Sequence, residues 1–78
     1  MTKQIAILGS TGSIGKNALR VVDGLGPDYS IAALSAHRNI ELLAEQARQY
    51  RPQAIAVTDP TQVNAFRKLI PSLKIDVL

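Results

Sequence analysis

Three glycines at three-residue spacing, in Gly9-Ser10-Thr11-Gly12-Ser13-Ile14-Gly15, separate a short apolar block from an amphipathic stretch. The block Ile5-Ala6-Ile7-Leu8 is rich in β-favouring residues and closed by Gly9, so it reads as a strand. From Ser13 onward Ile14, Ala18, Val21, Val22 and Leu25 recur at helical spacing, which reads as a helix with one buried stripe. A strand turning tightly into a helix is the opening of a crossover unit, and its partner must be a second, parallel strand.

The rest of the chain repeats that alternation. Gly24, Gly26 and Pro27 end the first helix, and Ser30-Ile31-Ala32-Ala33-Leu34-Ser35 reads as the second strand. Asn39 stands where an N-cap belongs, and Ile40, Leu43, Ala47 and Tyr50 line one face of the helix that Pro52 stops. In that helix Glu41, Glu45, Arg48 and Gln49 are expected to face outward. Ala54-Ile55-Ala56-Val57 is the third strand, and Asp59-Pro60 supplies a cap with proline at the first helical position. Val63, Phe66 and Leu69 or Ile70 space a third helix that ends at Pro71, and Lys74–Leu78 is a candidate fourth strand.

The order βαβαβα, with strands that are apolar almost throughout, predicts an α/β fold with a parallel sheet covered by helices on both faces. Right-handed crossovers place the strands in the order 3-2-1, the first half of a Rossmann-type doubly wound sheet. In that fold strand one is central and has a further strand on its other side. Residues 1–78 therefore read as an incomplete N-terminal cofactor-binding region, with strand one left as an open apolar edge.

Each glycine of the turn has a physical task. Gly9 lets the backbone leave the strand sharply, Gly12 lacks the Cβ that would hold a pyrophosphate off the main chain, and Gly15 lets the helix pack close to the strand. Backbone N–H groups of Thr11 to Ile14 are expected to face an anion at the open helix N-terminus, with the hydroxyls of Ser10, Thr11 and Ser13 as further donors. The spacing is one residue longer at the front than the usual dinucleotide fingerprint, but its context between strand and helix is the required one. A P-loop is excluded, because Gly15-Lys16-Asn17 lacks the hydroxyl that must follow the lysine; Lys16 reads as a solvated surface residue.

The end of strand two decides between the two nicotinamide dinucleotides. An NAD site carries an acid about twenty residues beyond the glycines to bind the ribose 2′-hydroxyl. Here Ser35-Ala36-His37-Arg38-Asn39 follows, and no carboxylate appears before Glu41. Arg38 offers a planar fork to a 2′-phosphate, Ser35 and Asn39 add neutral hydrogen bonds, and His37 stands beside the adenine position. The reading is NADP.

Composition excludes other classes. The chain has no cysteine and one histidine, so it offers no disulfide framework, thiolate metal site or thiol nucleophile. Its net charge is +3, but the nine basic residues are scattered and only Tyr29, Tyr50 and Phe66 are aromatic, which leaves no stacking platform for nucleic acid. Arg48, Arg51, Arg67 and Lys68 read as solvated, and the six acids as caps, loops and outward faces rather than a metal cluster. Apolar runs are too short to span a bilayer, and Met1-Thr2-Lys3-Gln4 leads into the first run without a signal-type segment, so a cytoplasmic setting without membrane association is expected.

Ile5–Gly15 together with Ala33-Leu34-Ser35-Ala36-His37-Arg38-Asn39 closely resembles the N-terminus of the 1-deoxy-D-xylulose-5-phosphate reductoisomerase family. That family carries a near-identical glycine turn and a short basic loop ending in Asn after strand two; His37 stands where many members have Gly. The resemblance implies an NADPH-dependent oxidoreductase of non-mevalonate isoprenoid biosynthesis, which converts 1-deoxy-D-xylulose 5-phosphate to 2-C-methyl-D-erythritol 4-phosphate. It also implies Mg²⁺ or Mn²⁺ held by ligands beyond residue 78, a homodimer as the full-length enzyme, and no catalytic residue within this segment. Carried over by motif, Thr11, Gly12, Ser13 and Ile14 hold the cofactor pyrophosphate, while Ala36, His37, Arg38 and Asn39 surround the 2′-phosphate. The alternatives are another NADP-dependent dehydrogenase, similar to aspartate-semialdehyde dehydrogenase, and a dinucleotide-sensing module without chemistry.

Overall fold

The chain folds as strand β1 (Lys3–Ile7), helix α1 (Ser13–Leu25), β2 (Tyr29–Ala36), α2 (Ile40–Tyr50), β3 (Ala54–Val57), a 3₁₀ turn (Pro60–Gln62), α3 (Val63–Leu69) and β4 (Asp76–Val77). These elements are taken from a computed structural model, which describes residues 3–71 and 73–77. Met1 and Thr2, at the head of the segment read as lacking a signal, and Leu78, the end of the candidate fourth strand, lie outside the described residues.

All neighbouring strands are parallel, in the order β1-β2-β3-β4. The expected 3-2-1 arrangement is present, with β1 at one edge. The fourth strand extends the sheet beyond β3, with Asp76 beside Ala54 and Val77 beside Ile55, and so does not take the place next to β1. This direction has a consequence for layering. Right-handed crossovers that step the same way each time put every connecting helix on one face. Accordingly Leu19 of α1, Leu43, Ala44 and Ala47 of α2, and Phe66 of α3 with the following Ile70 join a single core cluster with Ile7, Ile31, Leu34, Ile55 and Val57. The expectation of helices on both faces is thus met on one face only among the described residues. On the sheet's other side the registered positions Ala6, Ala33, Ala54 and Ala56 are small and partly or fully exposed.

Phe66, Leu34, Leu43 and Ile55 are the largest fully buried apolar side chains, and each contributes about 1.5–3 kcal/mol by leaving water. The first helix departs from its expected stripe. Gly15 and Leu19 are its buried residues and Val22 packs partly against them, whereas Ile14 is 84% exposed and Val21 and Leu25 are also open. Two adjacent stripes, Gly15-Leu19-Val22 and Ile14-Val21-Leu25, both repeat at helical spacing, and β1 and β2 cover only the first. Leu8 likewise falls after the strand rather than in it and is 84% exposed.

The second helix ends at Tyr50, two residues before Pro52. Arg51 adopts a left-handed conformation (φ 47°) and its N–H donates to the Ala47 carbonyl at 2.9 Å. No helix among the described residues is long and apolar enough to cross a membrane.

Candidate functional site

The loops that follow β1, β2 and β3 leave the carboxyl ends of three adjacent parallel strands, which is where open α/β sheets bind ligands. The first of them is the glycine turn. Gly9 has φ 68°, in the left-handed region where a side chain is strained, and its carbonyl accepts from the Gly12 amide at 3.0 Å. A Cβ on Gly15 would collide with the Gly9 carbonyl oxygen and lie 2.6 Å from Ser10 Cα, so α1 approaches the strand end only because that residue is glycine. Gly12 differs from both. It has extended backbone angles (φ −78°, ψ 171°), and an added Cβ would meet nothing nearer than the Gly9 carbonyl at 3.5 Å, an ordinary contact.

Gly12 is also the N-cap of α1 and provides no side-chain acceptor, so the first-turn amides of Ser13, Ile14 and Gly15 have no cap. The stretch expected to face an anion therefore stands uncapped, with one change. The Gly12 amide is used inside the turn, which leaves Thr11, Ser13 and Ile14 as the donors of the stretch named from sequence.

Ser10 and Ser35 depart from their expected roles. Ser10 is fully buried, its hydroxyl donates to Gln46 Oε1 at 2.7 Å, and its amide donates to the Ser35 carbonyl at 2.8 Å. Ser35 Oγ accepts from the Gly9 amide at 3.0 Å. Both hydroxyls shape the turn from beneath, and neither is presented to a phosphate. A short polar side chain next to a glycine turn serves equally well as donor to a ligand or as internal strut, and burial decides between them here. Gln46 was not legible as part of this arrangement. It falls beside the apolar stripe of α2, between Leu43 and Tyr50, and only a glutamine on a buried face hinted at a polar partner.

The loop after β2 is tied to the loop after β3. The Thr58 amide donates to the Ala36 carbonyl at 3.0 Å, and His37 Nδ1 and Thr58 Oγ1 are hydrogen-bonded at 2.7 Å. Arg38 Nε donates to Asp59 Oδ2 at 3.2 Å. Asp59 also caps the 3₁₀ turn, its Oδ1 accepting from the Thr61 amide at 3.0 Å and from the Thr61 hydroxyl at 2.7 Å. These Thr61 hydrogen bonds, and after them Arg38, hold the Asp59 carboxyl below the usual carboxylate range. Asn39 Oδ1 accepts from the Leu42 amide at 3.3 Å as the expected cap of α2, and its amide nitrogen is the atom left to donate outward. Ala36, at the end of β2, is buried and can offer only backbone.

The glycine turn and an outward guanidinium thus share one rim, and no carboxylate lies between Asp28 and Glu41. Among the described residues no three His, Asp or Glu side chains gather to hold a metal ion. A family model for 1-deoxy-D-xylulose 5-phosphate reductoisomerase matches residues 5–78. The chain belongs to this family. A reductoisomerase of Trichlorobacter lovleyi is 41% identical over 75 residues, covering 96% of this chain and 19% of that protein. One of Symbiobacterium thermophilum is 49% identical over 70 residues, covering 90% and 18%. Among solved structures, the Zymomonas mobilis reductoisomerase in complex with NADPH matches with a TM-score of 0.92 at 26% identity, over 99% of this chain and 20% of that one. A reductoisomerase in complex with NADPH, fosmidomycin and magnesium matches with a TM-score of 0.91 at 27% identity, over 97% and 19%. The chain spans about a fifth of the length of the reductoisomerases it matches. The alternative similar to aspartate-semialdehyde dehydrogenase is set aside by the family match.

Proposed function

We propose that this chain is the NADPH-binding region of a 1-deoxy-D-xylulose 5-phosphate reductoisomerase, the enzyme that forms 2-C-methyl-D-erythritol 4-phosphate for isoprenoid synthesis. The observation that carries the reading is the uncapped start of α1 behind a glycine whose missing side chain the protein itself does not require. A turn built only for packing would have no reason to keep Gly12 bare. The NADPH complexes of the matching structures support the same reading.

In this reading the amides of Thr11, Ser13 and Ile14 hold the cofactor pyrophosphate, where unsatisfied donors and the helix dipole favour negative charge. Arg38 and the amide of Asn39 hold the 2′-phosphate, with His37 alongside the adenine. Arg38 uses only Nε toward Asp59, so its two terminal nitrogens keep their donors for phosphate oxygens. When bound, NADPH supplies the hydride for the reduction. These residues fix its adenosine end on the rim, and the chemistry falls to the much larger part of the relatives that this chain does not span. Mg²⁺ or Mn²⁺ would require donors that the described residues do not assemble. The homodimer rests on the family resemblance, and the cytoplasmic setting on the short apolar runs read from the sequence.

The test is made in a reductoisomerase of the relatives' full length carrying this chain. Arg38→Ala should weaken NADPH by roughly ten- to a hundredfold, the worth of a charge-assisted phosphate contact, and leave NADH within about twofold. Equal losses for the two cofactors would remove Arg38 from the site.

A further inference from the structure

Gln46 is 6% exposed and lies on the helix face that also buries Leu43 and Ala47. A primary amide in such a place costs a few kcal/mol unless both of its ends are paired. Both ends are paired, and both to one residue 36 positions away. Gln46 Oε1 accepts from the Ser10 hydroxyl at 2.7 Å, and Gln46 Nε2 donates to the Ser10 carbonyl at 2.9 Å. With the Ser10 amide donating to Ser35, every polar group of Ser10 is engaged inside the protein.

The second of these bonds has a directional effect. A trans peptide is planar, with its C=O and N–H pointing in opposite directions. Among the described residues no peptide bond is cis, so the Ser10 carbonyl and the Thr11 N–H belong to one such plane. Holding the carbonyl inward on Gln46 turns the Thr11 N–H outward, toward the rim. A rotation of that peptide would replace a donor with a carbonyl oxygen, which repels a diphosphate. The arrangement adds stability only through two ordinary hydrogen bonds, but it fixes the sign of the potential at the mouth of the turn.

We infer that Gln46 is a positioning residue for the dinucleotide: from α2 it holds the Ser10–Thr11 peptide so that the Thr11 amide donates to the cofactor pyrophosphate. The inference rests on the proposed reading of the turn as the pyrophosphate site. It also assigns Gln46 a separable property. Because the pyrophosphate is common to both cofactors, losing this residue weakens NADPH and NADH alike and leaves the preference between them unchanged.

The experiment compares Gln46→Met, which fills the space with a flexible apolar chain, and Gln46→Leu with the unaltered enzyme at the relatives' full length. Dissociation constants for NADPH and NADH are measured on folded protein, with thermal melting followed separately. The expected result is a roughly five- to tenfold loss for both cofactors, with the NADPH-to-NADH ratio held within twofold. Gly12→Ala is run in parallel. If Gly12→Ala abolishes binding while the folded Gln46 variants bind as the unaltered enzyme does, or lose NADPH alone, the Gln46 inference is overturned and the site stands. If Gly12→Ala binds normally, the reading of the turn itself fails, and the Gln46 inference falls with it. Should the leucine variant not fold, the methionine variant carries the comparison, and Gln46→Glu, which keeps an acceptor for the Ser10 hydroxyl but has no donor for the carbonyl when ionised, should reproduce the loss for both cofactors.

Discussion

Arg38 Nε lies 3.2 Å from Asp59 Oδ2, joining the loop after β2 to the loop after β3. The two partners are unequal. The arginine side chain is 77% exposed and the aspartate only 12%, so the carboxylate is the fixed member and the guanidinium the one with reach. As an exposed ion pair the contact stabilises little. Its value is geometric, since it gathers the basic group onto the rim that holds the glycine turn.

Acid should weaken this junction. The Asp59 carboxyl ionises at lower pH in the folded chain than in the unfolded one, mainly because Thr61 donates to it and then because of Arg38. Its contribution is therefore complete above the unfolded carboxylate range near pH 4 and is lost as pH falls through the lowered folded value. Denaturant melts of the chain and of Asp59→Asn should differ at pH 7 and draw together in acid, below the unfolded carboxylate range. A gap that persists unchanged in acid would mean the Asp59 charge has no part in stability.

The glycines should separate folding from binding. Gly15→Ala forces a Cβ into the Gly9 carbonyl and against Ser10, and should lower stability by several kcal/mol or prevent folding, at about the upper end for single substitutions. Gly12→Ala meets only an ordinary contact with allowed backbone angles, so its melting temperature should stay within a few degrees while dinucleotide affinity falls at least tenfold. Circular dichroism melts and cofactor titrations on the two variants check this. A destabilised Gly12→Ala would make that glycine a packing residue.

At the opposite end of the strands, Tyr50 donates to Asp23 Oδ2 at 2.9 Å. Burial, and then the hydrogen bond and charge of Asp23, push the phenol up to about 12. The unfolded phenol titrates near 10, so this residue's contribution is full below pH 10 and fades as pH rises toward 12. Ultraviolet titration of Tyr29→Phe, which leaves Tyr50 as the tyrosine, should show its ionisation well above pH 10. Tyr50→Phe should cost less than about 1 kcal/mol at neutral pH and remove that high transition.

The core should respond most at α3. Phe66 is fully buried where α3 joins the main cluster, and Phe66→Ala should cost about 3–5 kcal/mol in denaturant melts. Val21→Ala, on the open flank of α1, should cost less than about 1 kcal/mol. The reverse ranking would place the core elsewhere.

The contrast between those two positions also shows what periodicity can and cannot give. The order of elements and the tasks of Gly9 and Gly15 follow from local chemistry, because turn residues, caps and apolar blocks act within a few positions. Asn39 capping α2 and Asp59 capping the 3₁₀ turn are legible for the same reason. Which of two stripes on α1 is covered depends on where β2 lies, and Val21 and Leu19 cannot be ranked without it. The place of β4 is a choice of sheet edge, which a strand as short as Asp76–Val77 does not encode locally. Ser10 and Ser35 were legible as turn residues, but their inward direction is set by Gln46 and by the strand pairing, contacts more than twenty positions away in sequence.

In the proposed function, backbone amides at the start of α1 hold the diphosphate of NADPH while Arg38 holds its 2′-phosphate. A crystal structure of a full-length reductoisomerase carrying this chain, grown with NADPH, tests it directly. The expected density has pyrophosphate oxygens within about 3 Å of the Thr11, Ser13 and Ile14 nitrogens and the 2′-phosphate on the Arg38 guanidinium. Nucleotide bound away from this rim, or an empty turn at saturating NADPH, would contradict it.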